Sequence, residues 1–227
     1  MGMKGKVALG AVVGVVVIAA VSANAGDNPG SNSSGSGKGS SASADRKSGG
    51  EKDTGKATTK KSTTVGGDGD YQVGGDIKPG TYRSTGNSDG MCYWERAKDA
   101  SGEVDSLLAN DNVTGTAYVT VKPTDKLFTS SGCSDWETVA PNAEGGSPKA
   151  EMAGDGGMLK VGVDIAPGTY KSSGNTDDMC YWERTKDAEH SLDSIIANDN
   201  VSGSAVVTIS ASDAYFKTSG CQDWKRA

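Results

Sequence analysis

The feature that most constrains this chain is an internal repeat that carries two cysteines in each copy. Residues 73–136 align on 161–224 at a constant shift of 88, without a gap and with 39 identities in 64 positions. VGGDIKPGTYRSTGNSDGMCYWERAKDA falls on VGVDIAPGTYKSSGNTDDMCYWERTKDA, and SGCSDW falls on SGCQDW. A unit repeated only twice is a tandem domain pair and not a solenoid, whose repeats need several neighbours to build a continuous core. The cysteines are Cys92 and Cys133 in the first copy, Cys180 and Cys221 in the second. Of the possible pairings, only Cys92–Cys133 with Cys180–Cys221 repeats with the duplication and keeps each domain self-contained. A bridge over a loop of this size stabilises by roughly 4 kcal/mol on the chain-entropy account. A domain of about 65 residues is marginal on its core alone, so the bridge is expected to decide whether each copy folds.

Within a copy the pattern is that of short strands. TYRS (81–84), MCYWER (91–96), DSLLA (105–109), TAYVTV (116–121) and LFTS (127–130) are separated by Gly, Asn and Asp. Such spacing points to an antiparallel sandwich or barrel. Alternation puts Cys92 with Trp94, and Ala117, Val119 and Val121 together, on inward faces. Tyr118 and its counterpart Val206 fall on the outer face. Aliphatic exchanges between the copies (Val104/Leu192, Leu107/Ile195, Leu108/Ile196, Val121/Ile209) read as core positions, which tolerate volume-conserving swaps. Ser101-Gly102-Glu103 against Glu189-His190-Ser191, and Lys122-Pro123-Thr124 against Ser210-Ala211-Ser212, read as exposed loops. No run has helical periodicity with caps. The expected fold class is all-β: two tandem antiparallel sandwich or barrel-like domains, each with one disulfide.

The rest of the chain reads as export and spacing. Lys4 and Lys6 precede an uncharged apolar run (7–21) and Ala23-Asn24-Ala25, the layout of a signal peptide cleaved before Gly26. The run is shorter than the ~20 residues of a membrane span. Residues 26–70, rich in Ser, Gly and Lys, cannot bury enough apolar area to offset their ordering entropy and are expected to be a disordered spacer. The domain boundaries so read are 71–139 for copy 1, 140–158 for a linker and 159–227 for copy 2. Export places the cysteines in an oxidising compartment, where bridging is expected.

The string VG-x-DI-x-PGTY, CYWER, ANDN-V and SGC-x-x-W resembles a small domain that recurs in exported and surface proteins of actinobacteria. The resemblance spans both copies. It implies export and supports these boundaries, and it implies no chemistry.

The same residues narrow the function. A net charge of −6 with no basic stripe excludes a nucleic-acid binder, whose affinity comes from phosphate neutralisation. His190 is the chain's one histidine and faces Gly102 in the alignment, so it is not expected to be a shared catalytic or metal group. The Asn/Asp clusters at 87–90, 175–178, 110–112 and 198–200 lack the spacing of a calcium loop and read as turns. Glu95-Arg96 and Glu183-Arg184 read as surface or cross-strand ion pairs. There is no nucleophile, phosphate-loop or zinc motif, so no enzyme activity, cofactor or metal is expected. Tyr93 with Glu95, and Tyr181 with Glu183, are the candidate binding residues, because an outward aromatic beside a polar rim makes a small recognition patch. These readings describe a secreted, monomeric, non-enzymatic binding protein of the cell envelope. Its expected partners are cell-wall glycan or a surface or secreted protein, held by avidity through two copies. The alternatives are an inhibitor of a secreted protease acting through loop 99–104 and a small extracellular hydrolase.

Overall fold

In each copy one long hairpin carries the architecture. In the computed structural model, which describes residues 64–140 and 147–227, β3 (Gly80–Ala97) pairs antiparallel along its length with β4 (Leu107–Val121). Its equivalent in copy 2 is β9 (Gly168–Thr185) with β10 (Ile195–Ile209). A single 3-10 turn, Val104–Ser106 or Leu192–Ser194, leads into β4 or β10. The signal-peptide segment and most of the spacer lie outside the described residues.

The short strands expected from the sequence therefore merge in pairs. The residues between 81–84 and 91–96 form not a turn but a bulge inside β3, with register shifts between Ser84 and Cys92. Gly86, Asp89 and Gly90 adopt φ of 80°, 62° and 62° there, and bulges commonly use such left-handed residues. Asn87 sits buried in the bulge. Its carboxamide accepts from the Ser134 amide at 2.8 Å and donates to the Gly115 carbonyl at 3.1 Å. Asn175 repeats this with Gln222 and Gly203. A buried amide so satisfied ties the middle of the hairpin to the cysteine loop.

Beyond the bulge the two halves of β3 take different neighbours. The first half pairs with β6 (Trp136–Thr138) and the second with β5 (Leu127–Ser131). Trp136 and Phe128 meet edge to face across the interior at 5.4 Å, as do Trp224 and Phe216 at 5.6 Å. Cys92 is bonded to Cys133, and Cys180 to Cys221. The alternation holds at Cys92, Trp94, Ala117, Val119 and Val121, all buried.

The edges of each copy extend further than the sequence suggested. Thr64–Val65 (β1) and Gly69–Gln72 (β2), read as spacer up to residue 70, pair with β6 and β5. Glu151–Met152 (β7), from the segment read as linker, and Gly157–Lys160 (β8), which straddles its end at residue 158, pair with β12 (Trp224–Arg226) and β11 (Tyr215–Ser219). Alignment of these strands changes the shift from 88 to 87. Val65 pairs with Trp136 and Met152 with Trp224, whereas Gly69 and Gly157 still correspond. Copy 2 thus carries one extra residue, at Gly156.

Three of the four aliphatic exchanges are not core positions. Val104 and Leu192 are 87% and 88% exposed, Leu108 and Ile196 are about half exposed, and only Val121 and Ile209 are fully buried. Volume-conserving exchange also occurs on surfaces, so the pattern cannot separate the two.

Candidate functional site

The two copies are docked on each other. A parallel contact, Thr116 opposite Gly157, joins β4 of copy 1 to β8 of copy 2, so the strands form one continuous sheet. The Thr116 amide donates to the carbonyl of the extra residue, Gly156, at 3.0 Å, and the Thr120 amide donates to Ala188 at 2.8 Å. The backbones approach so closely that a β-carbon on Gly157 would lie 2.2 Å from the Thr116 carbonyl oxygen.

Side chains complete this junction, and they are largely the residues that differ between copies. Tyr118, expected on an open outer face, is buried against Tyr215, Met158 and Ala188. Its ring lies 5.0 Å from that of Tyr215 and its hydroxyl donates to Asp164 at 2.7 Å. Burial and then Asp164 push the Tyr118 phenol well above its ordinary pKa. Lys122 pairs with Glu189 at 2.8 Å, and Lys217 with Asp111 at 2.6 Å. Burial opposes the charge on Lys217, but Asp111 and Glu183 outweigh it and raise its pKa. His190 packs edge-on to Trp94, with ring centroids 4.7 Å apart, and donates from Nε2 to the Tyr118 carbonyl at 2.7 Å. The loop 189–191, expected to be solvent-exposed, is thus partly covered because copy 1 sits on it.

The junction divides the two candidate Tyr–Glu pairs. Tyr93 donates to Glu95 at 2.5 Å and Tyr181 to Glu183 at 2.6 Å. Asn110 and Asn198 approach the two hydroxyls at 3.5 and 3.3 Å. Burial and Glu95 push Tyr93 up to about 12. Glu95 remains partly open, whereas Glu183 is buried beside Lys217. The pairs are locally alike but no longer two equal, outward-facing patches.

The arginines next to these glutamates serve a different purpose from the one expected. Arg96 makes a buried fork with Asp125, at 2.7 and 3.1 Å, and Asp125 also accepts the Lys122 amide at 2.8 Å. Arg184 and Asp213 repeat the fork. Asp125 was legible as the one position kept in a loop that otherwise changes from KPTD to SASD. Arg96 donates further to the Glu189 carbonyl at 2.7 Å, so the fork also holds the junction.

Beside the junction lies an open groove of about 680 Å³, within the size range of ligand sites. Leu159 and Val163 line its apolar part, Lys149, Glu151 and Lys225 its charged part, and Gly115 reaches it from copy 1. No described helix is long and apolar enough to cross a membrane.

Two regions, 63–137 and 150–225, match the Rv1352-like extracellular domain, and together they cover most of the sequence. Uncharacterized protein Rv1352 of Mycobacterium tuberculosis is 32% identical over 101 residues, which span 39% of this chain and 80% of that protein. Uncharacterized protein Mb1387 of Mycobacterium bovis matches to the same extent. No solved structure matches. The chain belongs to the Rv1352-like extracellular domain family, of which it carries two tandem copies.

Proposed function

We propose that this protein is a secreted, non-enzymatic binding protein of the cell envelope, with its ligand site in the groove beside the junction. One observation carries this reading: the groove lies mainly on copy 2 and is bordered by Gly115 and Thr116 of copy 1, so docking of the copies completes it. Its rim carries both signs of charge over an aliphatic lining. That suits a peptide segment of a surface protein better than a neutral glycan, which offers no charge to pair. The docked junction replaces avidity as the reason for two copies, since effective concentration helps only when two sites can engage separately. The test is co-sedimentation of the oxidised, secreted chain with an insoluble envelope fraction, alongside Lys149→Glu and Lys225→Glu. Retention of the wild type with at least about tenfold weaker retention of the variants is expected. Equal retention of all three would move the site elsewhere. A wild type that stays in solution would end the envelope reading.

A second reading, inhibition of a secreted protease, draws on Val104 and Leu192. Each is an aliphatic side chain almost wholly exposed at the first position of a 3-10 turn. A rigid loop presenting such a side chain suits an enzyme cleft. Val104→Asp should abolish inhibition if this reading holds, and leave envelope retention unchanged if the groove is the site.

A further inference from the structure

His190 stands where the copies meet, in a loop that reads Ser-Gly-Glu in copy 1 and Glu-His-Ser in copy 2. It adopts φ of 55°, where its counterpart Gly102 adopts 72°. A side chain in that conformation persists only when its surroundings hold it there. The holding contacts come from copy 1: the edge-on Trp94 ring and the Tyr118 carbonyl, which accepts from Nε2. The charged groups around it come from every neighbouring element. Lys217 on β11 and Glu183 on β9 belong to its own copy, and Asp111 on β4 to the other. Asp187 and Glu189 lie in its own loop, where Arg96 and Lys122 of copy 1 grip Glu189.

We propose that the junction is a proton-sensitive clasp released by His190: the neutral imidazole closes the copies on each other, and the imidazolium parts them. The neutral ring with its proton on Nε2 satisfies the Tyr118 carbonyl. A second proton adds positive charge in a covered site that already holds the Lys217 ammonium. Burial and then Lys217 lower the imidazole pKa, against the opposing pull of the Tyr118 carbonyl, Asp111 and Glu183. A base whose pKa is lower in the closed form takes its proton preferentially in the open form. The contribution of His190 to closure is therefore complete above the ordinary imidazole value of about 6.5 and is lost as pH falls below it. The clasp stands whether or not the groove binds a ligand.

The test is hydrogen exchange of the secreted, oxidised chain, read at the Thr116 and Thr120 amides, whose bonds cross the junction. Exchange is corrected for the intrinsic effect of pH. Protection is expected to fall about tenfold between pH 7 and about pH 5 in the wild type. It should stay constant in His190→Gln, whose carboxamide donates to the carbonyl without titrating. Because His190 is the chain's one histidine, its ring resonance can be followed without ambiguity. If His190→Gln opens the junction at every pH, that titration decides. A midpoint below the ordinary value that coincides with the loss of protection supports the clasp. Unchanged protection in the wild type, an equal loss in His190→Gln, or a midpoint unrelated to the loss would overturn it.

Discussion

Tyr118 and Tyr215 meet across the two copies as tilted rings with centroids 5.0 Å apart, and the alignment gives neither an aromatic counterpart. Val206 stands at the first position in copy 2 and Leu127 at the second in copy 1. Val206 is 62% exposed while Tyr118 is 1% exposed. Tyr118→Val, the exchange that copy 2 already tolerates, should loosen the junction and leave the core of copy 1 folded. It removes a ring contact and the donor to Asp164, so a loss of about 2–4 kcal/mol is expected. Calorimetry of Tyr118→Val beside Val206→Ala checks this, since the exposed Val206 should matter little.

The two arginine forks should differ in weight. Arg96 is almost wholly enclosed with Asp125, whereas the Arg184 side chain is 21% exposed. Removing one partner of a buried pair strands the other charge and costs about 3–5 kcal/mol. Denaturant melts should show Arg96→Met clearly less stable than Arg184→Met, because only Arg96 also donates to Glu189 across the junction.

Gly157 and Gly162 separate strain from collision. Both have positive φ, 73° and 80°, but a β-carbon meets the Thr116 backbone at Gly157 and nothing within 4 Å at Gly162. Gly162→Ala should cost about 1 kcal/mol from backbone strain. Gly157→Ala should cost more and expose the Thr116 amide to exchange.

Stability should decline as pH rises above about 10. Tyr93 and Tyr215 are each pushed up to about 12, in both cases first by burial, with Glu95 acting on Tyr93 and Asp164 on Tyr215. A phenol that keeps its proton longer when folded ionises first in the unfolded chain, so raising pH favours unfolding. Tyr93→Phe should blunt the alkaline loss, and thermal melts from pH 8 to about pH 11 measure it.

Opening the first disulfide should now affect both copies. Cys92→Ser should destabilise copy 1 by roughly 4 kcal/mol on the chain-entropy account. Copy 2 should follow in part, because Met158 and Tyr215 are buried against Tyr118 of copy 1. Exchange kinetics resolved by region would show this. An untouched copy 2 would mean that the junction contributes little to its stability.

Much of the core was legible because strand alternation reports burial directly. Cys92, Trp94, Val119 and Val121 followed from spacing alone. The bulge was hidden because Asn-Ser-Asp-Gly (87–90) suits a turn and a bulge equally: both need residues that tolerate positive φ. The junction was hidden for a different reason. The divergent loop 189–191 and the outer-face Tyr118 were read as free surface, but between the docked copies they form part of the contact. One copy offers Tyr118 where the other offers His190, Tyr215 and Met158, and a head-to-tail interface places no equivalent residues opposite each other. The single signal in the sequence was the extra Gly156, which only the outer strands bring into alignment.

The head-to-tail geometry of the junction has a consequence for how the gene can evolve. Such a contact, repeated, runs on into a ring where its rotation closes and into an open filament where it does not. Here copy 1 holds Gly102, Leu127 and Thr129 where copy 2 holds His190, Tyr215 and Lys217, and copy 2 holds Val206 where copy 1 holds Tyr118. Each repeat thus carries one half of a lock and lacks the other. Recombination that made the repeats identical again would either erase the lock or restore both halves to both copies, leaving sticky ends at each terminus. Selection should therefore preserve the asymmetry between the repeats as firmly as it preserves their shared core.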